Sequence, residues 1–377
     1  MKKMKNWNYN SLLMLFMFVA TAATAAMPAR QEFSRNIKKD FKVSSSGGVG
    51  IHNQYGKIDI KTWDKDEVSV DVTIIVRANN EKEAQETFNR IRVDFSEKPD
   101  YVQARTYIES KGGNGWNWNW NGNNNCDYTI NYQVYMPKVN YLDLSNKYGD
   151  SFVAYLDRWL NADVKYGNIK MEGTKESITA SVGYGNANIG TTQNLTCNVS
   201  YGKLNLREAT NTALDTKYSE MNVGKTTNLA IKSRYDTYEI GAVTNLTNEG
   251  KYDHFDITSV ENTTFDTKYT DIKIGRLLNA ANMDMQYGNL DIVFLSKNFS
   301  GVDIKGSYTD CSVRVEDGAN YLLDASTNYA DIKYPSAMNV SNRRNNDNSE
   351  TVEGYVGGKG GKGVIKARLS YGDLKIK

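Results

Sequence analysis

Histidine is scarce in this chain, and the recurrent sequence motifs of enzyme active sites are missing from it. The 377 residues include two histidines, His52 and His254. There is no nucleophile elbow, no Walker loop, no HExxH and no CxxC pair. His254 falls at a polar position of the repeat described below, so we expect it at the surface. The sequence therefore predicts no catalytic site, no cofactor and no metal site.

Cysteine is also rare, and the three present do not form a recognisable set. Cys126, Cys197 and Cys311 are an odd number without metal-type spacing. Cys197 and Cys311 stand at positions of the repeat where other copies carry apolar residues, so both should be small buried hydrophobes. The sequence leaves open whether Cys126 pairs with another cysteine.

The chain has no large excess of charge of either sign. Three lysines (Lys2, Lys3 and Lys5) precede the apolar run SLLMLFMFVATAATA, and small residues follow. This pattern predicts a cleaved secretory signal peptide at 1–26, with an uncleaved membrane anchor as the alternative. Without it the chain has 43 basic and 44 acidic residues. We therefore expect export to the periplasm, the outer-membrane surface or the medium, with no stable transmembrane anchor and no nucleic-acid partner.

What the chain does have is a repeat. Between 164 and 292, eight motifs of the type KYGNIKM or KYTDIKI place a tyrosine every 17 or 18 residues. A fixed period this short indicates stacked structural units that cannot bury an apolar face alone. Further copies occur outside this stretch. The tyrosines of all copies are Tyr55, Tyr148, Tyr166, Tyr184, Tyr201, Tyr218, Tyr235, Tyr252, Tyr269, Tyr287, Tyr308, Tyr329 and Tyr371.

Each repeat alternates apolar and polar residues on both sides of its tyrosine. Counting from the tyrosine, positions −6, −4, −2, +3 and +5 are apolar or small, and +2 and +4 are mostly polar. This is the pattern of two short strands with one buried face. The alternation slips by one residue, which requires a bend. The sequence places the bend at the residue after the tyrosine and points the tyrosine inward or into a corner, where the rings stabilise by packing. A sugar-binding ladder is the alternative if the rings point outward.

Position −7 is asparagine in five successive repeats: Asn194, Asn211, Asn228, Asn245 and Asn262. Asparagine tolerates a left-handed corner, and stacked amides can bond one repeat to the next. Together with the constant spacing, this row favours an all-β, right-handed β-solenoid (β-helix) of about 17-residue coils over an antiparallel meander. A small inserted strand-rich lobe containing one helix completes the predicted fold.

The predicted division of the chain follows changes in this pattern. The signal peptide (1–26) is followed by the first strands and first coil (27–62). An inserted capping lobe (63–137) carries strands, one short helix near 79–93 and a Trp/Asn/Gly loop. Coils then occupy 138–334, a polar, glycine-rich surface loop occupies 335–363, and the final coil occupies 364–377.

Two surface features are candidates for recognition. Seven aspartates recur at +1 or +2, and stacked carboxylates can bind calcium or form a glycosidase pair, but lysine and asparagine interrupt the row and favour a solvated face. The motif WNWNW presents Trp116, Trp118 and Trp120 on one face if it is extended. Exposed indoles beside amides suit sugar rings, a partner protein or lipid. The alternative is a hairpin tip whose aromatics fold back onto the lobe.

Two stretches carry a resemblance to a known family. YTINYQVYMPKVNYLDLSNKYGDSFV (128–153) and GYVGGKGGKGVIKARLSYGDLKIK (354–377) look like the first coil and the end of the putative-adhesin family of exported bacterial β-solenoids, similar to auto-transporter adhesin heads. The resemblance covers most of 41–377 and implies an exported cell-envelope β-helix of adhesive or uncharacterised function. It brings no catalytic residues. The regular tyrosines and the Trp-Asn loop depart from it.

These observations predict a non-enzymatic exported cell-envelope protein, an adhesin-like or scaffold β-solenoid that binds a glycan or another envelope protein. The ligand-binding residues that we predict are Trp116, Trp118 and Trp120. A periplasmic envelope sensor is one alternative. A β-helix enzyme that degrades polysaccharide through the aspartate row is another.

Overall fold

The computed structural model describes residues 30–109, 127–358 and 360–377, which form 24 strands and one helix. The first group comprises β1 (Gln31–Lys42), β2 (Gly48–Gln54), β3 (Ile58–Trp63), β4 (Glu67–Ala78), α1 (Glu81–Arg90), β5 (Ile91–Lys98), β6 (Tyr101–Ile108) and β7 (Asp127–Pro137). The middle group comprises β8 (Tyr141–Lys147), β9 (Ser151–Val153), β10 (Leu160–Lys165), β11 (Ile169–Gly173), β12 (Ser177–Gly183), β13 (Asn186–Ser200), β14 (Lys203–Lys217), β15 (Glu220–Arg234), β16 (Thr237–Lys251), β17 (His254–Leu295) and β18 (Gly301–Val315). The last group comprises β19 (Tyr321–Asn328), β20 (Ile332–Lys333), β21 (Asn339–Asn346), β22 (Ser349–Val356), β23 (Gly363–Ser370) and β24 (Leu374–Ile376).

The predicted all-β class is confirmed, and so is the presence of one helix in the described residues. Helix α1 begins where the sequence offers a cap, because the Asn80 side chain accepts a hydrogen bond from the Glu83 backbone at 3.0 Å. The helix is not long and apolar enough to cross a membrane, and it is the sole helix in the part of the chain described.

The repeats lie side by side in parallel. Lys203 of β14 pairs with Glu220 of β15, and Glu220 pairs with Thr237 of β16, a shift of 17 residues at each step. Equivalent positions of successive repeats are therefore neighbours across the ladder. An antiparallel meander would pair these strands in opposite directions, so that alternative is wrong for the central strands.

The core follows the predicted alternation. In the Tyr201 repeat, Leu195, Cys197, Val199, Leu204 and Leu206 are all buried. The same positions of the other repeats join them in one continuous apolar cluster. Burial of this face is the main favourable contribution to folding, about 25 cal/mol for each Å² of apolar surface removed from water.

Strands from the predicted inserted region cover the first repeat. Strand β2 pairs with β6 on one side and β8 on the other, while β3 pairs with β7 and β9. Strands β4 and β1 continue from β7 in antiparallel order. The edges of the first repeat are therefore paired with other strands, which removes a site for aggregation. The proposed domain boundaries stay a prediction.

The C-terminal end departs from the order of the sequence. Strand β23, from the last repeat of the chain, inserts between β18 and β19 and pairs in parallel with both. The predicted surface loop at 335–363 is wrong in part, because β21 and β22 form an antiparallel hairpin whose second strand pairs with β19. This segment is polar because β21 is a largely exposed edge strand, so composition alone suggested a loop.

Candidate functional site

The tyrosines of the 13 repeats form one continuous stack, here called the tyrosine column. Neighbouring ring centroids lie 4.7 to 5.1 Å apart, with interplanar angles from 1° to 17°. The exposed fraction of these residues runs from 38% for Tyr55 to 58% for Tyr329. In space the order ends Tyr308, Tyr371, Tyr329, because the last repeat of the chain is inserted before the previous one.

Of the two placements predicted for the tyrosines, the inward one is wrong, and the one at a corner agrees with the structure. The bend lies at the tyrosine itself, whose φ is positive in every repeat, from 50° at Tyr218 to 63° at Tyr55. A left-handed residue reverses the expected side of the strand, so the ring turns outward and the following residue turns inward. Left-handed backbone costs a side-chain-bearing residue about 1 kcal/mol or more. Ring stacking, worth about 0.5–1.5 kcal/mol for each pair, offsets that cost.

Exposure does not make the column a sugar-binding platform. A sugar packs on the open face of an aromatic ring, whereas both faces of each interior tyrosine are covered by its neighbours at about 5 Å. Only ring edges and phenol hydroxyls meet solvent along most of the column. The tyrosines therefore form a packing ladder, as predicted, although their rings do not point inward.

Under the column, the residue at +1 is of two main kinds, and Ala330 is the exception. In most repeats it is glycine, and a Cβ at Gly185 would lie 1.8 Å from the backbone oxygen of Gly167. In four successive repeats it is polar and buried: Ser219, Asp236, Asp253 and Thr270. Asp236 and Asp253 are therefore buried, and the prediction that they belong to a solvent-exposed row of aspartates is wrong for these two residues.

Hydrogen bonds satisfy both buried aspartates. Asp236 accepts from the Ser219 backbone at 2.7 Å and from the Thr216 hydroxyl at 2.7 Å. Asp253 accepts from the Asp236 backbone at 2.9 Å and from the Ser233 hydroxyl at 2.8 Å. Burial nevertheless raises the pKa of Asp236, and it raises the pKa of Asp253 to about 6. These carboxylates bind one repeat to the next and face no solvent-filled site.

The aspartates at +2 are exposed, as the sequence indicated. Asp150 accepts from the Asn168 backbone of the adjacent repeat at 2.8 Å, and Asp310 accepts from the Asp373 backbone at 2.9 Å. They cap backbone donors at the bend. Within residues 30–109, 127–358 and 360–377, no three His, Cys, Asp or Glu side chains gather in a way that could hold a metal ion.

The asparagine ladder at −7 is confirmed. Asn211 donates to Asn194 at 2.8 Å, Asn228 to Asn211 at 2.8 Å, and the row continues through Asn245 and Asn262. Its backbone differs from the expectation, since none of these asparagines has a positive φ. The ladder arises from parallel register alone.

A second row of amides lies on the floor of a long open groove, here called the amide groove. Its floor runs through Asn188, Asn205 and Asn222, which are register neighbours at position +4. The groove has a volume of about 1220 Å³, and the half-exposed ring of Tyr155 lines it. Position +6 is glycine in three of the repeats that line the groove (Gly190, Gly224 and Gly241), whereas Arg207, at the same position of an intervening repeat, carries a side chain there.

The amide groove combines donors, acceptors and charges of both signs. Asn205 donates to Asn188 at 2.8 Å, and Asn222 donates to Asn205 at 3.0 Å. Arg207 and Glu239 line the groove without an ion pair between them. Amides, which both donate and accept hydrogen bonds, match a ligand rich in hydroxyl groups. The sequence carries this signal as Asn and Gly that recur at a 17-residue period, a weaker pattern than the tyrosine present in every repeat.

The other residues singled out by sequence have mixed outcomes. Trp116, Trp118, Trp120 and Cys126 lie outside the described residues, as does the predicted signal peptide. His254 is exposed, as expected. Cys197 and Cys311 are free and buried, as predicted, and burial raises the pKa of each thiol to about 12.

Several solved structures are similar to this chain. A putative cell adhesion protein from Clostridium sporogenes is 9% identical, covering 92% of this chain and 99% of its own, with a TM-score of 0.18. A putative adhesin from Bacteroides fragilis is 12% identical, covering 93% and 99%, with a TM-score of 0.28. A putative lipid binding protein from Parabacteroides distasonis is 12% identical, covering 74% and 93%, also at 0.28.

The descriptions of the Clostridium and Bacteroides proteins agree with the resemblance to the putative-adhesin family noted from the sequence. No family model matches the chain, and no curated protein matches it. At these sequence identities and TM-scores, the assignment of a site and a ligand depends on the residues of this chain alone.

Proposed function

We propose that this protein is an exported, adhesin-like cell-envelope module that binds a glycan in the amide groove without chemical turnover. The observation that carries the proposal is the groove itself, where a periodic floor of amides meets an exposed tyrosine ring and charges of both signs. Asparagine offers both a donor and an acceptor, which suits the paired hydroxyls of a sugar. The tyrosine offers an open ring face and a hydroxyl.

We infer that the parallel ladder winds as a right-handed β-solenoid with coils of about 17 residues. Its support is the constant register shift between strands and the strong preference of parallel crossovers for the right hand. Such a rod repeats its surface at about 4.8 Å per coil. Along the groove, β11 pairs with β13, and the row continues through β14, β15 and β16 to β17. These five steps give a length of roughly 24 Å, enough for a short extended oligosaccharide.

The carboxylates of the groove favour binding over catalysis. A general acid in a glycosidase needs a pKa raised by an apolar pocket. Glu172 and Glu239 are exposed, and Asp256 pairs with Lys273 at 3.2 Å. Release of reducing sugar from any polysaccharide, abolished by Glu239→Gln, would contradict the proposed lack of turnover.

Glycan-array binding of the purified protein tests the site. The double variant Tyr155→Ala with Asn205→Ala should lose at least about tenfold in affinity, because it removes the ring and one amide of the floor. A matched control, Tyr107→Ala with Asn161→Ala, removes an exposed tyrosine and an exposed asparagine elsewhere and should bind normally. Absence of glycan binding, or equal loss in both double variants, would reject the groove.

A further inference from the structure

Beside the tyrosine column runs a line of cations that the amide groove does not use. Lys217, Arg234, Lys251 and Lys268 stand at position −1 of four successive repeats, and we call them the basic row. Arg234 pairs in register with Lys251, and Lys251 with Lys268, so neighbouring charges are about one strand spacing apart. All four are exposed.

Like charges directly opposite each other across a ladder destabilise a sheet. In the described part of the chain, none of the four forms an ion pair with a carboxylate. The Lys217 ammonium lies 6.0 Å from the ring centroid of Tyr201 and 5.6 Å from that of Tyr218, which sets the row along the edge of the column. The four cations thus have no direct ion-pair partner, and an anion bound along the row would be attracted by several neighbouring positive charges.

The surroundings of the row determine the shape of the anion. At position −3, on the outer side of the row, lie three exposed acids (Asp215, Glu249 and Asp266) and one exposed cation (Lys232). Beyond the tyrosine column, at position +2, lie Glu220 and Asp271. A flat anionic surface such as a lipid bilayer would press against both sets of acids and be repelled. A single narrow strand of anions avoids them.

From this arrangement we infer that the basic row binds a linear acidic polysaccharide, with carboxylate or sulfate groups placed along the column. Neighbouring cations recur at about one strand spacing, so acidic groups that recur along one side of an extended chain at a multiple of that distance can meet cations of the row. Tyrosine hydroxyls beside the row supply donors and acceptors for the sugar hydroxyls. This second surface is separate from the amide groove and does not depend on it.

Binding of polygalacturonate to the purified protein tests the inference. The variant Lys251→Gln with Lys268→Gln removes two neighbouring charges and should weaken binding about tenfold at 50 mM salt, with a flatter dependence on salt concentration. The matched control is Lys225→Gln with Lys305→Gln, which removes two exposed lysines from other rows. Its affinity for polygalacturonate should stay within about twofold of the unmodified protein.

Three outcomes would overturn the inference: no binding of polygalacturonate at low salt, equal loss in the row and control variants, or tighter binding of a single-stranded oligonucleotide than of the polyuronate. Loss of affinity in the row variant alone supports it. The groove variant Tyr155→Ala with Asn205→Ala keeps the basic row intact and should bind polygalacturonate normally. Polygalacturonate binding therefore tests the basic row, and glycan-array binding tests the amide groove.

Discussion

The tyrosine column and the amide groove are both periodic, exposed and built from one side chain per repeat, yet they do different things. In the column each ring uses both faces to pack on its neighbours, and its backbone is held in a left-handed conformation. In the groove the amides and the Tyr155 ring keep surface free for a ligand. An exposed aromatic residue can therefore bind a ligand through its ring only if at least one ring face is not already covered by a neighbouring ring. The column should govern stability, and the groove should govern recognition.

The largest expected effect concerns the backbone under the column. Gly185→Ala should lower the free energy of unfolding by about 3 kcal/mol, because the new Cβ would lie 1.8 Å from the Gly167 oxygen and the backbone cannot yield easily. Gly183→Ala is the matched control, since its Cβ would meet nothing closer than a Lys165 side-chain atom at 3.8 Å. Urea unfolding measures both, and equal stability of the two variants would refute the tight-packing argument.

The next effect concerns pH and the buried carboxylates. Burial raises the pKa of Asp253 to about 6 in the folded chain, whereas an Asp in the unfolded chain has a pKa of about 4. Between these two pH values the folded chain keeps this carboxyl protonated, while the unfolded chain has it ionised. The free energy of unfolding should therefore fall by about 2 kcal/mol as the pH rises from 4 through 6, and remain lower above that window. Asp236, whose pKa is also raised, adds to the same trend.

Urea unfolding from pH 4 to pH 8 measures this dependence. Asp253→Asn should flatten it, whereas Asp271→Asn, an exposed acid at +2 of the adjacent repeat, should leave it nearly unchanged. A stability that rises with pH through this window in the unmodified protein, with no difference between the two variants, would contradict the assignment of the buried pair.

A smaller effect separates ring stacking from backbone strain. Tyr184→Ala loses two stacking partners at 5.0 and 4.9 Å and keeps a side chain at a φ of 55°. Tyr184→Gly loses the same partners but adopts positive φ freely, so it should be more stable than the alanine variant by about 1 kcal/mol. Thermal unfolding compares them, and an alanine variant as stable as the glycine variant would mean that the bend lies elsewhere.

Prediction from the sequence recovered the repeat, the buried positions and the asparagine ladder, because these depend on period-two alternation and parallel register. It misplaced the bend, since a tyrosine in left-handed backbone is disfavoured locally and is stabilised here by neighbours 17 or 18 residues away. It could not foresee that β23 inserts between β18 and β19, because strand order at the end of a ladder depends on tertiary packing. The amide groove was missed for a related reason, as its floor exists only once the repeats are aligned.

The most direct test of this division is hydroxyl-radical footprinting of the protein with and without a glycan selected on the array. The account predicts protection of Tyr155 on binding, with unchanged modification of Tyr184 and Tyr235 in the column. The variant with Tyr155→Ala and Asn205→Ala should lose no more than about 2 kcal/mol in the free energy of unfolding, because it removes one partly exposed ring and one amide of a surface row. Protection of the column tyrosines with no change at Tyr155 would contradict the account.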